Sequence, residues 1–265
     1  MDRTRGYTEH NRAAWDQIAP ARRPEPAEFF AAGGSTLDDC EAEALPDVAG
    51  QRMLHLQCAS GNESLSWAVR GARVVGVDIS AVAVRLATER AAQTGLPARF
   101  VAADVYDLPA ELVDFDVVYA SSGVVCWLPD LDRWAAIVAG RLRPGGRFLL
   151  YEHHPVWEAT AGAPDALRPV TDYFGRSTPV AELDRSRRPQ AAVPGRAFVS
   201  FLWPLGDVVT ALAGAGMRIE LVVEHPVPAL YGAGEAASRW PGTYLIRAVR
   251  CWGSPFRRPP PAKLT

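Results

Sequence analysis

The stretch Arg52-Met53-Leu54-His55-Leu56-Gln57-Cys58-Ala59-Ser60-Gly61, with the run Val74-Val75-Gly76-Val77-Asp78 that ends seventeen positions later, decides the fold. Met53, Leu54 and Leu56 form a short apolar strand, the small residues Ala59, Ser60 and Gly61 let backbone approach a ligand, and Asn62 to Val69 can open a helix. The second run ends in a carboxylate, where a ribose diol would find two acceptor oxygens. The two segments together read as a site for a nucleoside cofactor.

Strand, tight turn, helix and acid-terminated strand are shared by dinucleotide-binding proteins and class I S-adenosylmethionine-dependent methyltransferases, so the turn must separate them. A pyrophosphate needs bare backbone amides and the positive end of a helix dipole, hence G-x-G-x-x-G. Here Gly61 is the only glycine of the turn, and Glu63 in the first helical turn would repel phosphate. S-adenosylmethionine carries a sulfonium cation and no phosphate, so an acid-tolerant turn suits it better.

From about Arg52 to His154 the chain resembles a class I methyltransferase. Leu54 to Gly61 matches the first motif of that family, Asp78-Ile79 the second and Ala103-Asp104-Val105 the third. Phe115-Asp116-Val117-Val118-Tyr119 matches the fourth strand, and Leu142 to Leu150 the fifth. The first motif departs from the pattern: His55 stands where Asp is usual, and Gln57 and Ala59 occupy the first two glycine positions. This His-Leu-Gln-Cys turn is similar to one found in small-molecule methyltransferases. The resemblance implies a Rossmann-like α/β fold, a seven-stranded mostly parallel sheet of order 3-2-1-4-5-7-6 with helices on both faces, and S-adenosylmethionine as cofactor with S-adenosylhomocysteine as product.

A chain of 265 residues, 48% hydrophobic, can bury one full core. A net charge of -2 gives no electrostatic reason to expect nucleic acid or an anionic membrane as partner. Cys40, Cys58, Cys126 and Cys251 lack C-x-x-C spacing, which argues against a zinc site or a disulfide framework. With a polar start from Met1 to Arg12 and no run of membrane-spanning length, the expectation is a cytoplasmic protein, monomeric or homodimeric, with a small-molecule substrate and no metal.

Tyr7 to Ile18 reads as an amphipathic helix stopped by Pro20, Ala21 to Gly34 as an irregular loop, and Leu37 to Ala44 as a helical piece. Strands and helices then alternate to Glu152, with a helix Leu131 to Leu142 stopped by Pro144-Gly145, which calls for a parallel sheet. Between His154 and Ser200 the period is lost; it returns with a helix near Leu205 to Ala215 and strands Arg218 to Val223 and Thr243 to Arg250. The expected organisation is a helical lid (1–50), a cofactor-binding core (51–154), a cap or substrate insertion (155–203), the rest of the same α/β domain (204–251) and a flexible tail (252–265).

The candidate cofactor residues are His55, Gln57, Ala59, Gly61, Asp78, Ile79, Asp104, Val105 and Ser121. Asp78 reads either as a ribose ligand or as a cap for the helix after Ser80, and the family resemblance places Asp104 beside the adenine amine, with Val105 nearby. His55 reads as a core histidine or as a neutral group ordering the turn. His153 and His154 end the fifth strand, pointing in opposite directions, so that at most one can serve as a general base. Tyr7, Trp15, Tyr173, Phe174 and Trp203 are either core aromatics or walls of a substrate pocket whose rings attract the sulfonium. The run Arg185-Ser186-Arg187-Arg188 reads as a solvated loop or an anchor for an acidic substrate.

The expected reaction is methyl transfer to an N, O or C atom of a small molecule, with a bacterial specialised metabolite as the expected acceptor class. Two rivals remain: non-methylating chemistry on the same fold, and a non-catalytic partner subunit.

Overall fold

The structure is a computed structural model and describes residues 3–180, 198–232 and 235–252. Seven strands form the main sheet: β1 (Arg52–Leu56), β2 (Arg73–Asp78), β3 (Ala98–Ala102), β4 (Phe115–Ser121), β5 (Leu142–His153), β6 (Met217–Pro226) and β7 (Pro241–Arg250). Their order is β6-β7-β5-β4-β1-β2-β3, which is the expected 3-2-1-4-5-7-6 read from the other edge. β7 runs antiparallel to both β5 and β6, while β1 to β5 pair in parallel. The central strands are covered on both faces, so Met53 to Leu56 and Val117 to Ala120 are continuously buried rather than alternating.

Nine α-helices are described: α1 (Arg3–Ile18), α2 (Ala27–Ala31), α3 (Asp39–Ala44), α4 (Asn62–Val69), α5 (Ala81–Thr94), α6 (Leu131–Arg141), α7 (Pro155–Ala159), α8 (Leu205–Gly214) and α9 (Pro228–Tyr231). Local chemistry sets several of their ends. Asp38 and Glu41 form a capping box on α3, Ser80 Oγ accepts the Ala83 N–H to start α5, and left-handed Gly95 stops it. One core packs α6 and α8 under one face of the sheet, and a second packs Trp67, Leu45 and Val48 on the other.

α1 begins a turn earlier than the sequence suggested, and a short helix, α2, lies inside the expected loop. Pro144-Gly145 does not form the stop after α6. The helix ends at Arg141 and β5 starts at Leu142, with Gly145 at φ 74°. The aperiodic segment after β5 holds α7 and two small ribbons, Thr160–Ala161 with Arg168–Pro169 and Arg176–Val180 with Ser200–Leu202. The arginine run at 185–188 and the tail from 253 lie outside the described residues.

α1 is fastened across the carboxyl edge of the sheet at two places. The Asn11 side-chain amide donates to Val199 O at 2.7 Å and accepts the Val199 N–H at 2.9 Å. Asp16 Oδ1 accepts from Ser80 Oγ at 2.7 Å and from the Val82 N–H at 3.3 Å, at the start of α5. Among the described residues no helix is long and apolar enough to cross a membrane, and no group of three or more His, Cys, Asp or Glu is placed to hold a metal.

Candidate functional site

A cavity of about 900 Å³ opens where the carboxyl ends of β1, β2 and β4 meet α1. This is the edge at which open α/β sheets collect ligands. Its floor is the turn after β1. Gln57 (φ 55°) and Ala59 (φ 47°) both adopt left-handed backbone, so the turn keeps the conformation of the absent glycines at roughly 1–2 kcal/mol per residue. Gly61, also left-handed at φ 77°, has a different role from the expected ligand approach. It does not line the cavity, and a Cβ there would fall 2.7 Å from the Phe100 ring.

Asp78 holds this turn in place. Its Oδ2 accepts the Ala59 N–H at 2.7 Å and its Oδ1 the Ser80 N–H at 2.9 Å. Burial raises its pKa, against the two backbone donors and nearby Arg22, which lower it. Each oxygen can accept a further hydrogen bond, and Asp78 lines the cavity. Asp78 does not itself cap α5, which is capped by Ser80; it holds the N–H of that cap residue and lines the cavity at the end of β2.

His55 is buried under the turn. Nδ1 lies 2.8 Å from Ser64 Oγ, the ring packs on Tyr119 at 4.7 Å between centroids, and Nε2 is buried without a partner. Burial pushes its pKa down to about 3, so the imidazole is neutral near pH 7. Behind it, the Tyr119 hydroxyl donates to Glu41, whose buried carboxyl is raised to about 7 by desolvation.

Ile79, Asp104, Val105 and Tyr106 form one wall; Asp104 Oδ1 accepts the Tyr106 N–H at 2.9 Å. Ser121 and Ser122 line the site at the end of β4, and Gln57 Nε2 donates to Val124 O at 3.1 Å. The following loop is organised by Glu152. Its buried carboxylate accepts the N–H groups of Gly123, Val124 (2.6 Å), Val125 (2.8 Å) and His153 (2.7 Å). Over the top lie Thr8, Asn11, Trp15, Ile18 and Arg22. Trp15 packs edge-on against Trp127 and beside Phe198, and the Arg22 guanidinium sits 5.1 Å from the Trp15 ring centre.

Of the aromatic residues singled out from sequence, Trp15 reaches the cavity and the other four do not line it. Tyr7 packs on Phe201, Trp203 donates its indole N–H to Leu128 O, and Tyr173 and Phe174 pack on each other with Phe174 largely exposed. The histidines also separate. His154 caps α7 by accepting the Val156 N–H on Nδ1, and its Nε2 is 2.7 Å from Glu224, so both ring nitrogens are engaged away from the cavity. His153 packs on Trp157 and lies behind Gly123, a cavity-lining residue. Sequence reasoning missed Arg22, Arg90 and Trp127, and took Glu63 only as a bar to phosphate. Nothing in the local pattern flags Arg22 or Arg90, because their place depends on how α1 and α5 pack.

Residues 53–146 match the family described as Methyltransferase domain. The chain carries a methyltransferase domain. Curated relatives match part of the chain. A sterol 4-C-methyltransferase of Caenorhabditis elegans is 33% identical over 42% of this chain and 34% of its own length. A 27-O-demethylrifamycin SV methyltransferase of Amycolatopsis mediterranei is 37% identical over 43% of each. The chain thus spans less than half the length of either. A crystal structure of an S-adenosylmethionine-dependent methyltransferase from Mesorhizobium loti superposes with a TM-score of 0.63 at 25% identity, covering 80% of this chain and 96% of that one.

The residues of the methyltransferase domain fit S-adenosylmethionine. Three acids, Glu63, Asp78 and Asp104, line the cavity, and His55 Nε2, Gln57 Oε1 and Asn62 Oδ1 are buried there without partners. An acceptor-rich, acid-bearing lining complements a sulfonium, an ammonium, a ribose diol and an adenine amine, and disfavours a pyrophosphate.

Proposed function

We propose that this chain transfers the methyl group of S-adenosylmethionine to an N, O or C atom of a small-molecule acceptor. The observation that carries the reading is the acid-bearing cavity at the carboxyl ends of β1, β2 and β4, roofed by α1, in a chain with a methyltransferase domain. Bound there, the cofactor supplies an electrophilic methyl on a sulfonium. Asp78 receives the ribose hydroxyls, Ile79, Asp104 and Val105 receive the adenine, and His55, Gln57, Ala59 and Ser121 shape the methionine end. Trp15 and Trp127 wall the acceptor side, where ring faces favour both an apolar acceptor and a nearby cation.

Rate enhancement then comes mainly from holding the nucleophile in line and excluding water, with α1, packed through Trp15 against Phe198, acting as a cover. If a proton must be removed from the acceptor, His153 is better placed than His154, whose two nitrogens are engaged. The rifamycin relative makes a specialised metabolite the first acceptor class to try.

The test is incubation of the full chain with S-adenosylmethionine and a panel of phenolic, amine and activated-carbon acceptors, reading S-adenosylhomocysteine and methylated product by mass spectrometry. Product with at least one acceptor supports the proposal. An acceptor transformed without methylation would favour the rival of a different chemistry on this fold, and a protein that binds no cofactor would favour a partner subunit.

A further inference from the structure

Two opposite charges share the cavity without being joined by an ion pair. Glu63, in the first turn of α4, and Arg22, just after α1, both line it, and each shifts the titration of the other. The two other acids and Arg90 are already engaged, and the remaining arginine of the lining, Arg23, is exposed. Asp78 accepts from Ala59 and Ser80, Asp104 accepts from Tyr106, and Arg90 donates through its two terminal nitrogens to the carbonyls of Glu25 and Ser60. The Nε atoms of Arg22 and Arg90 are both buried with no partner; the Arg22 guanidinium, which has no other side-chain hydrogen bond among the described residues, lies over the Trp15 ring. His55, at the end of β1, is buried and neutral and contributes no negative charge.

We infer that Glu63 and Arg22 form a clamp for a zwitterion: Glu63 takes the ammonium and Arg22 the carboxylate of the amino-acid end of the cofactor. The inference rests on the cofactor reading above and assigns its methionine end to two residues outside the turn after β1. A zwitterion placed between separated opposite charges satisfies both at once, and burial makes each contact stronger than it would be in water. The stacking of Arg22 on Trp15 holds the guanidinium plane in position. Because Arg22 is joined to α1 by the single turn Ala19–Ala21, carboxylate binding would also draw the roof onto the site.

Calorimetry on the full chain separates this from a structural role by comparing S-adenosylhomocysteine with 5'-methylthioadenosine, which keeps the nucleoside and lacks the amino-acid end. Glu63→Gln and Arg22→Gln should each weaken S-adenosylhomocysteine by roughly 10- to 100-fold, the scale of losing a hydrogen bond to a charged group. Methylthioadenosine affinity should stay within about 2-fold, which also shows that the variants are folded. Equal losses for both ligands, or no loss for either, would overturn the clamp. Wild-type protein that binds neither ligand would instead overturn the cofactor reading, and the clamp with it.

Discussion

Asp78 at the end of β2 accepts the backbone N–H of Ala59, in the turn after β1, at 2.7 Å. One carboxylate therefore joins the two strands whose ends define the site and fixes a turn whose residues carry backbone strain. Asp78→Ala should weaken S-adenosylhomocysteine by roughly 1–3 kcal/mol, the scale of hydrogen bonds to a charged group. It should also speed amide exchange at Ala59. Calorimetry and hydrogen exchange check both, and a folded variant with unchanged affinity would remove Asp78 from the site.

Ala59 adopts a left-handed conformation that an L-residue reaches at a cost of about 1–2 kcal/mol. Ala59→Gly relieves that strain but adds unfolded-state entropy of about 0.4–1 kcal/mol. The net expectation is a gain of up to about 1 kcal/mol in denaturant unfolding. A clear loss of stability would contradict the strained-turn account.

Glu41 is buried, and its carboxyl is raised to about 7 by desolvation. A raised folded-state pKa means that its favourable contribution is complete below about 4.5 and is lost as pH rises through about 7. Glu41→Gln removes this dependence while leaving a group that can bond Tyr119. The stability of the variant relative to wild type should rise by roughly 2 kcal/mol between pH 5 and pH 8. Chemical denaturation at the two pH values measures it, and a relative stability that falls over that range would contradict the assignment.

His55 was open to two readings in the sequence, and the structure makes it both a core residue and a cavity residue. Restoring the common acid, His55→Asp, shortens a side chain packed on Tyr119 and buries a carboxylate. The variant should lose about 1–3 kcal/mol in thermal or chemical unfolding. Unchanged or increased stability would show that the site prefers the acid and that the packing is incidental.

The alternation of apolar strands with helices made the fold legible, because buried parallel strands read as unbroken apolar runs and their helices carry clear caps such as Ser80 and stops such as Gly95. The first-motif departures were also visible, although their backbone consequence was not: sequence names Gln57 and Ala59 but not their sign of φ. The roof was the least legible part. Arg22 and Trp127 enter the cavity because the Asn11–Val199 and Asp16–Ser80 contacts set α1 across the sheet edge, and these join residues 188 and 64 positions apart. Tyr7 and Trp203 failed as pocket residues for the converse reason. Tyr7, on the face of α1 turned to the neighbouring ribbon, packs on Phe201, and Trp203, in the segment before α8, packs on the main core.

Calorimetric titration of the full chain with S-adenosylhomocysteine, beside the same titration with NAD, bears most directly on the central claim that this cavity holds S-adenosylmethionine. The account predicts one saturable S-adenosylhomocysteine site per chain, a ligand-dependent rise in unfolding temperature, and no comparable effect of the dinucleotide. Absence of S-adenosylhomocysteine binding, or tighter binding of NAD, would contradict it.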